Sequence, residues 1–221
     1  LTSDEETGMT GAEELDGSLL SGRTLINIDS EEEGYLTVSC AGGVRCGCEY
    51  PLEFTATEDG MCAIDIEVDK LLGGHSGVEI HKHRSNGHKV LADVLSYVYK
   101  RVPFFICDIK GGSKTNVIPK SALAVVVTKT ENKDTVINAA SEYFREIFHT
   151  VYGSSEPEAE LTACESYEPV PARHMTADST KKVVFALMNS PDGVVTVMKD
   201  NPDAVLSSLN MGELCIENDV L

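Results

Sequence analysis

The sequence has few basic residues, no long apolar run and no cysteine pair of the C-x-x-C type. Its 18 lysines and arginines stand against 36 aspartates and glutamates, so the formal net charge is -18 at pH 7. Because nucleic-acid binding depends on clustered lysine and arginine to neutralise phosphates, we expect no nucleic-acid partner. No run reaches the roughly 18 apolar residues of a transmembrane helix, and no signal peptide begins the chain, so we expect a cytoplasmic protein without membrane contact.

The seven cysteines are irregularly spaced and odd in number, which is not typical of a disulfide framework. Cys107 and Cys164 lie in apolar stretches, where cysteine behaves as a small hydrophobic residue. We therefore expect all seven thiols to be reduced. Cys46 and Cys48 form a C-x-C pair, for which a structural zinc site stays open as the less favoured alternative.

Two stretches near the start of the chain end in carboxylates. The apolar run 24–28 stops at Asp29 and an acidic block, and Thr2-Ser3 leads into Glu5 and Glu6. With a helical segment at 12–20 between them, residues 1–41 predict a βαβ unit. The carboxyl ends of parallel strands meet at one edge, so Glu5, Glu6 and Asp29 are expected to converge where a divalent cation would relieve their repulsion. The acids at 31–33 are interpreted as a solvated face.

The middle of the chain has the order β-α-β-β-α-β. Apolar and polar residues alternate at 61–71 and 121–128, and apolar residues recur at helical spacing at 88–101 and 135–152. These patterns, with strands at 102–109 and 158–166, predict an α+β fold of ferredoxin-like type: a four-stranded antiparallel sheet with two helices on one face. Beyond it we predict a helix at 179–188, capped near Asp178 or Ser179, and strands at 194–198 and 207–216.

Six motifs, in this order, resemble the aminoacyl-histidine dipeptidases, which belong to the larger class of two-metal exopeptidases. They lie at residues 2–9, 27–34, 40–43, 73–77, 116–119 and 207–212. The resemblance implies that residues 44–190 are an inserted lid and dimerisation domain. Residues 1–43 and 191–221 would be pieces of an α/β zinc-peptidase catalytic domain. Because the chain starts at Leu1 on a strand end and stops after an alternating segment, we expect a fragment of a longer enzyme.

The resemblance also implies roles for single residues. Glu5 resembles the general base that takes a proton from the attacking water, while Glu6 and Asp29 resemble ligands of the two metal ions. His75, in the glycine-rich loop, resembles the residue that stabilises the transition state from the lid domain, often across a dimer. Asn116 resembles a lid residue that binds substrate, and Asn210 matches a segment that lines the pocket.

The implied activity is hydrolysis of Xaa-His dipeptides with two divalent metal ions, in a homodimer formed through the lid domain. Zinc is the expected metal, with manganese and cobalt as alternatives, because carboxylate and histidine sites accept all three. The family also needs an upstream His-x-Asp strand, a bridging aspartate and a histidine near the C-terminus, and this chain has none of them. We therefore expect the chain alone to be inactive and to hold no metal, since two carboxylates rarely hold zinc unaided.

Without the resemblance the same residues have simpler interpretations. His75 would be an exposed polar residue of a glycine-rich loop, and Asn116 would be a turn former. The rival hypothesis is a non-catalytic dimerisation or binding module of ferredoxin-like fold, whose open sheet face and edge would suit self-association. An acidic calcium-binding protein is disfavoured, because the acidic runs lack the residue spacing of a calcium loop.

Overall fold

The structure is a computed structural model of the 221-residue chain, and it describes residues 3–4, 9–26, 28, 33–38 and 40–221. The chain divides into two compact units, residues 1–44 and residues 45–221. The second unit contains the predicted sheet and helices. Residues 191–221 belong to this second unit as well.

The first unit contains a short helix, α1 (Thr10–Glu13), followed by a 3-10 turn at Gly17–Leu19. Among its described residues there is no strand and no buried side chain. Residues 24–26 and 28 were predicted to lie in a buried strand, yet Leu25, Ile26 and Ile28 are 80% to 91% exposed. The prediction fails for these residues because the described part of the unit offers no neighbouring strand to pair with their backbone groups.

The second unit contains the strands and the remaining helices. The strands are β1 (Phe54–Ala56), β2 (Met61–Asp69), β3 (Gly74–His75), β4 (Phe105–Gly111), β5 (Val117–Ile118), β6 (Ala122–Lys129), β7 (Glu160–Glu165), β8 (Arg173–Met175), β9 (Gly193–Met198) and β10 (Asn201–Leu209). The helices are α2 (Gly87–Tyr99), α3 (Lys133–Glu142), α4 (His149–Tyr152) and α5 (Ala177–Asn189). A π-helical stretch, Tyr143–Phe148, joins α3 to α4 without a break.

The central sheet has four antiparallel strands in the order β4-β6-β2-β7. Together with α2 and α3, this is the ferredoxin-like arrangement, so the predicted α+β fold class is confirmed. In β2 the residues Ile64, Ile66 and Val68 are buried, while Glu67 and Asp69 on the opposite face are exposed. The alternation predicts this orientation because successive side chains of a strand point to opposite faces.

The core lies between the helices and one face of this sheet. The buried side of α2 carries Val90, Leu91, Val94, Leu95 and Val98, at the spacing of a helix that packs through one face. The α3 segment and the π-helical stretch add further apolar residues, including the stacked rings of Phe144 and Phe148. Burial of these side chains supplies the main favourable contribution to folding of this unit.

The elements around the central sheet differ in part from the predictions. Strand β1 pairs with β8, and α5 begins at Ala177, two residues earlier than predicted, with Thr176 as its N-cap. Strand β10 begins at Asn201 and ends at Leu209, so the predicted strand at 207–216 is wrong over most of its length. Its pairing with β9 contains several register shifts, which disturb the simple alternation that sequence patterns detect.

Candidate functional site

His75 and Asn116 lie next to each other although 41 positions separate their numbers in the sequence. Strands β3 and β5 form an antiparallel pair in which Gly74 is opposite Ile118 and His75 is opposite Val117. The pair continues one residue further, because Ser76 donates its backbone N–H to the carbonyl of Asn116 at 2.9 Å. Both His75 and Asn116 are exposed, so their side chains are available to a ligand.

The ring of His75 is held in one orientation by its own loop. Its Nδ1 atom accepts hydrogen bonds from the backbone N–H groups of Gly77 and Val78, at 3.1 and 3.2 Å. A nitrogen that accepts two such bonds carries no proton, so in the neutral ring the proton lies on Nε2. The imidazole therefore presents an N–H donor on its outer side, which is the group needed to stabilise a developing negative charge on oxygen.

A cluster of three charged side chains supports the glycine-rich loop. The carboxylate of Glu79 accepts from the backbone N–H of His75 at 3.0 Å and forms ion pairs with Lys82 and Arg84. The hydrogen bond from Lys82, followed by that from His75, lowers the pKa of Glu79 to about 2. Arg84 also donates to the carbonyl of Gly73. The backbone on both sides of Gly74 is thus fixed by hydrogen bonds to the side chains of Glu79 and Arg84.

A buried carboxylate connects this loop to the start of α2. Glu156 is fully buried and accepts from the backbone N–H groups of Leu72 and Ser85, at 2.8 and 2.7 Å. These two groups lie just before the glycine-rich loop and just before α2. Sequence patterns gave no reason to single out Glu156, because its partners are backbone groups 84 and 71 positions away.

Asn210 lies beside the loop that carries Asn116. Its side-chain Nδ2 donates to the carbonyls of Thr115 and Val117, at 3.1 and 2.9 Å. The structure thus brings together three of the six predicted site residues, His75, Asn116 and Asn210. The observed partners of the Asn210 side-chain Nδ2 are backbone carbonyls of the protein itself. The prediction that Asn210 contacts substrate does not account for these bonds.

The other three predicted site residues, Glu5, Glu6 and Asp29, lie outside the described residues. Within the described ranges, no group of three or more histidine, cysteine, aspartate or glutamate side chains could hold a metal ion. The seven cysteines, all of which are described, are free, and burial raises the pKa of Cys107 to about 12. No helix in the described part of the chain has the length and apolarity to cross a membrane.

The segment that carries His75 and Asn116 matches a known class of domain. Residues 66–153 match the family model described as the peptidase dimerisation domain. The matched segment runs from the middle of β2 to the end of α4 and includes both His75 and Asn116. Residues 66–153 are therefore similar to the dimerisation domain of a peptidase, and they lie within the range 44–190 that was predicted to be a lid domain.

Two particular relatives extend this similarity to nearly the whole chain. The chain is 31% identical over 212 residues to the cytosol non-specific dipeptidase of Escherichia coli (strain K12), covering 96% of this chain and 43% of that protein. It is also similar to the crystal structure of aminoacylhistidine dipeptidase from Vibrio alginolyticus, with a TM-score of 0.79, 29% identity, and coverage of 100% of this chain and 44% of that one. The resemblance to part of a dipeptidase is thus confirmed, and the chain spans less than half the length of these relatives.

Proposed function

We propose that this chain is part of a longer protein, and that the longer protein is a metal-dependent dipeptidase that hydrolyses Xaa-His dipeptides in the cytoplasm. The observation that carries the proposal is the His75 ring, whose Nδ1 is occupied by two backbone donors and whose Nε2–H is directed away from them. This group lies beside Asn116 in a domain similar to that of two dipeptidases. A non-catalytic module would not need a donor fixed in this way.

In the proposed reaction the residues of this chain have separate roles. Glu5 accepts a proton from the attacking water, the water oxygen bonds to the peptide carbonyl carbon, and the C–N bond then breaks as the proton passes to the leaving amine. His75 donates from Nε2 to the developing oxyanion, and Asn116 orients the substrate. The carboxylates of Glu6 and Asp29 suit hard divalent ions, which when bound polarise the carbonyl and lower the pKa of the water.

The chain by itself should lack this activity. Two carboxylates are too few to hold zinc, whose sites in proteins use at least three protein ligands. We therefore propose two divalent metal ions, zinc first, for a protein of the relatives' full length and none for this chain alone. Metal content measured after dialysis would be near zero for the 221-residue chain and about two ions per subunit for the longer protein.

The catalytic proposal is tested by hydrolysis of glycyl-histidine and β-alanyl-histidine with the longer protein. Glu5→Ala should abolish turnover, and His75→Ala should lower kcat by roughly 10²- to 10³-fold, the usual effect of removing an oxyanion donor. His81→Ala is the matched control, because His81 is exposed on a 3-10 turn near the same loop. Full activity of His75→Ala, or measurable activity of the 221-residue chain, would contradict these assignments.

We also propose that the protein is a homodimer formed through its lid domain, and this part would hold even for a non-catalytic module. Strand β7 is an outer strand of the central sheet, and no further strand among the described residues pairs with its free edge. The outer edge of the opposite strand, β4, already has hydrogen-bond partners. The backbone N–H of Ile106 donates to the hydroxyl of Thr180, and Gly111 and Leu214 each donate a backbone N–H to the other's carbonyl. An unpaired edge of this kind favours pairing with the same edge of a second copy.

A further inference from the structure

The side-chain Nδ2 group of Asn210 has no proton left for a substrate. Its Nδ2 group has two protons, and it donates to two carbonyl oxygens, those of Thr115 and Val117. Its Oδ1 atom lies 3.5 Å from Nδ2 of Asn86, at the limit of a hydrogen bond. The two carbonyls that Asn210 binds belong to the residues immediately before and after Asn116.

Asn86 and Asp192 hold the residue that follows Asn210. The Asn86 side chain is buried at the N-cap of α2, where its Oδ1 accepts from the backbone N–H of His88 at 3.0 Å. Its Nδ2 donates to Oδ1 of Asp192 at 2.8 Å and to the carbonyl of Met211 at 3.1 Å. Asp192 in turn accepts from the backbone N–H of Met211 at 3.0 Å. Residue 211 is therefore fixed through both its N–H and its carbonyl.

The backbone next to Asn210 also packs closely against the same loop. A Cβ atom on Gly212 would lie 2.7 Å from both Cα and the carbonyl oxygen of Thr115, and 2.9 Å from the carbonyl oxygen of Lys114. Only a residue without a side chain can approach another backbone this closely. The close approach lets the amide of Asn210 reach the carbonyls on both sides of Asn116.

We infer that Asn210, held by Asn86 and Asp192, is a positioning residue that fixes the loop of Asn116 and, through the pairing of β3 with β5, the backbone of His75. The inference rests on the proposed function, because it assigns Asn210 a role in the same reaction. It replaces the predicted substrate contact of Asn210 with contacts to the backbone of the loop. A displacement of about 1 Å in a residue that orients the reactants can lower the rate roughly 10²-fold.

The first arm of the test does not depend on activity. In the 221-residue chain, Asn210→Ala should raise the hydrogen-exchange rates of the Ser76 and Val117 amides by roughly ten- to hundredfold, because two bonds that hold the loop are lost. Amides shared between β2 and β6 should keep their exchange rates. Asn189→Ala is the matched control, because Asn189 is exposed and donates only to the carbonyl of Phe185 in its own helix.

The second arm uses the longer protein and glycyl-histidine. Asn210→Ala should lower kcat by roughly 10- to 100-fold while KM changes less than about threefold, since a positioning residue acts on the transition state rather than on ground-state binding. Asp192→Asn, which keeps an acceptor for Asn86 and Met211, should retain most of the activity. A higher KM with unchanged kcat, or unchanged exchange at Ser76 and Val117, would overturn the inference. If the unaltered longer protein fails to hydrolyse the dipeptide, the proposed function is wrong, and the exchange arm still decides whether Asn210 positions the loop.

Discussion

His88 is a fully buried ring in the first turn of α2, and neither of its ring nitrogens has a hydrogen-bond partner in the described part of the chain. Burial is the main influence on this group and lowers its pKa below the ordinary value of 6.5, although the nearby carbonyls of Gly111 and Met211 act in the opposite direction. The folded state therefore keeps the ring neutral at a pH where the unfolded chain binds a proton.

The stability of the chain should consequently fall as the pH drops below about 6.5. Above that pH the ring is neutral in both states and makes no pH-dependent contribution to stability, whereas below it the unfolded state gains a proton that the folded state rejects. Urea unfolding at pH 7.5 and 5.5 would measure the difference. His88→Gln, which does not titrate, should lose less stability over this interval, and the exposed His81→Gln should behave like the original chain. Equal losses in all three proteins would show that His88 does not titrate on unfolding.

Gly74 and Gly60 have positive φ angles, of 141° and 83°, but only Gly74 is crowded. A Cβ atom on Gly74 would meet Nη1 of Arg84 at 2.5 Å and Oε2 of Glu79 at 2.6 Å, while one on Gly60 would meet nothing within 4 Å. We expect Gly60→Ala to lower the free energy of unfolding by about 1 kcal/mol through backbone strain, and Gly74→Ala by roughly 2 kcal/mol, because the ends of Arg84 and Glu79 must also move and give up their bonds to the backbone. Urea unfolding measures both, and equal effects would exclude crowding as the cause.

At the residue scale, the sequence allowed recognition of side chains that belong to a motif but not of the groups that hold them. His75 and Asn116 follow from the resemblance, and their proximity needed the pairing of β3 with β5. The substrate contact predicted for Asn210 stays a prediction, whereas its bonds to the carbonyls at 115 and 117 could not be foreseen, because backbone groups leave no trace in a sequence. Glu5, Glu6 and Asp29 remain predictions.

At the scale of elements, regular periodicity decided which predictions succeeded. The alternation of β2 and β6 and the helical spacing of α2 each match the observed element within a few residues, because each buries one face against the same core. Periodicity gave no sign of the π-helical stretch after α3, since its apolar residues Tyr143, Phe144 and Phe148 continue the helical spacing. The strand prediction fails at the described residues 24–26 and 28 because a strand needs a partner, and sequence pattern alone does not supply one.

Glu156 joins two elements, the turn before β3 and the start of α2, and its removal should be costly. Glu156→Ala would remove the acceptor of two part-buried hydrogen bonds, from the backbone N–H groups of Leu72 and Ser85, at roughly 1–2 kcal/mol each, so we expect a loss of about 2–4 kcal/mol. Glu158→Ala is the control, because this neighbouring carboxylate is exposed and should change stability by less than about 0.5 kcal/mol. Equal stability of the two variants in urea unfolding would show that solvent replaces the carboxylate.

At the scale of the whole molecule, the charge and the free edge of β7 act against each other. Two copies that associate each bring a net charge of -18, so their repulsion weakens the dimer at low ionic strength. In the proposed dimer the attraction would come from the edge of β7 and from the exposed apolar residues Ile147, Val151 and Tyr152 of the helical segment that precedes it in the chain. We therefore expect the dissociation constant, measured by analytical ultracentrifugation, to decrease as salt is raised from 0.05 to about 0.5 M, a range over which screening shortens the reach of surface charge.

The location of the proposed dimer contact can be tested with two exposed apolar residues, one on α4, which precedes β7 in the chain, and one on α5, which contacts β4. Val151 on α4 is 59% exposed and Phe185 on α5 is 67% exposed, so aspartate at either position should leave the fold intact. Val151→Asp should produce a monomer, because a charge would be buried at the joined edges, where an unpaired carboxylate is costly. Phe185→Asp should remain a dimer, since α5 lies at the β4 side of the sheet. If Phe185→Asp dissociates while Val151→Asp does not, the copies meet at the β4 side, and the edge of β7 must be protected in another way.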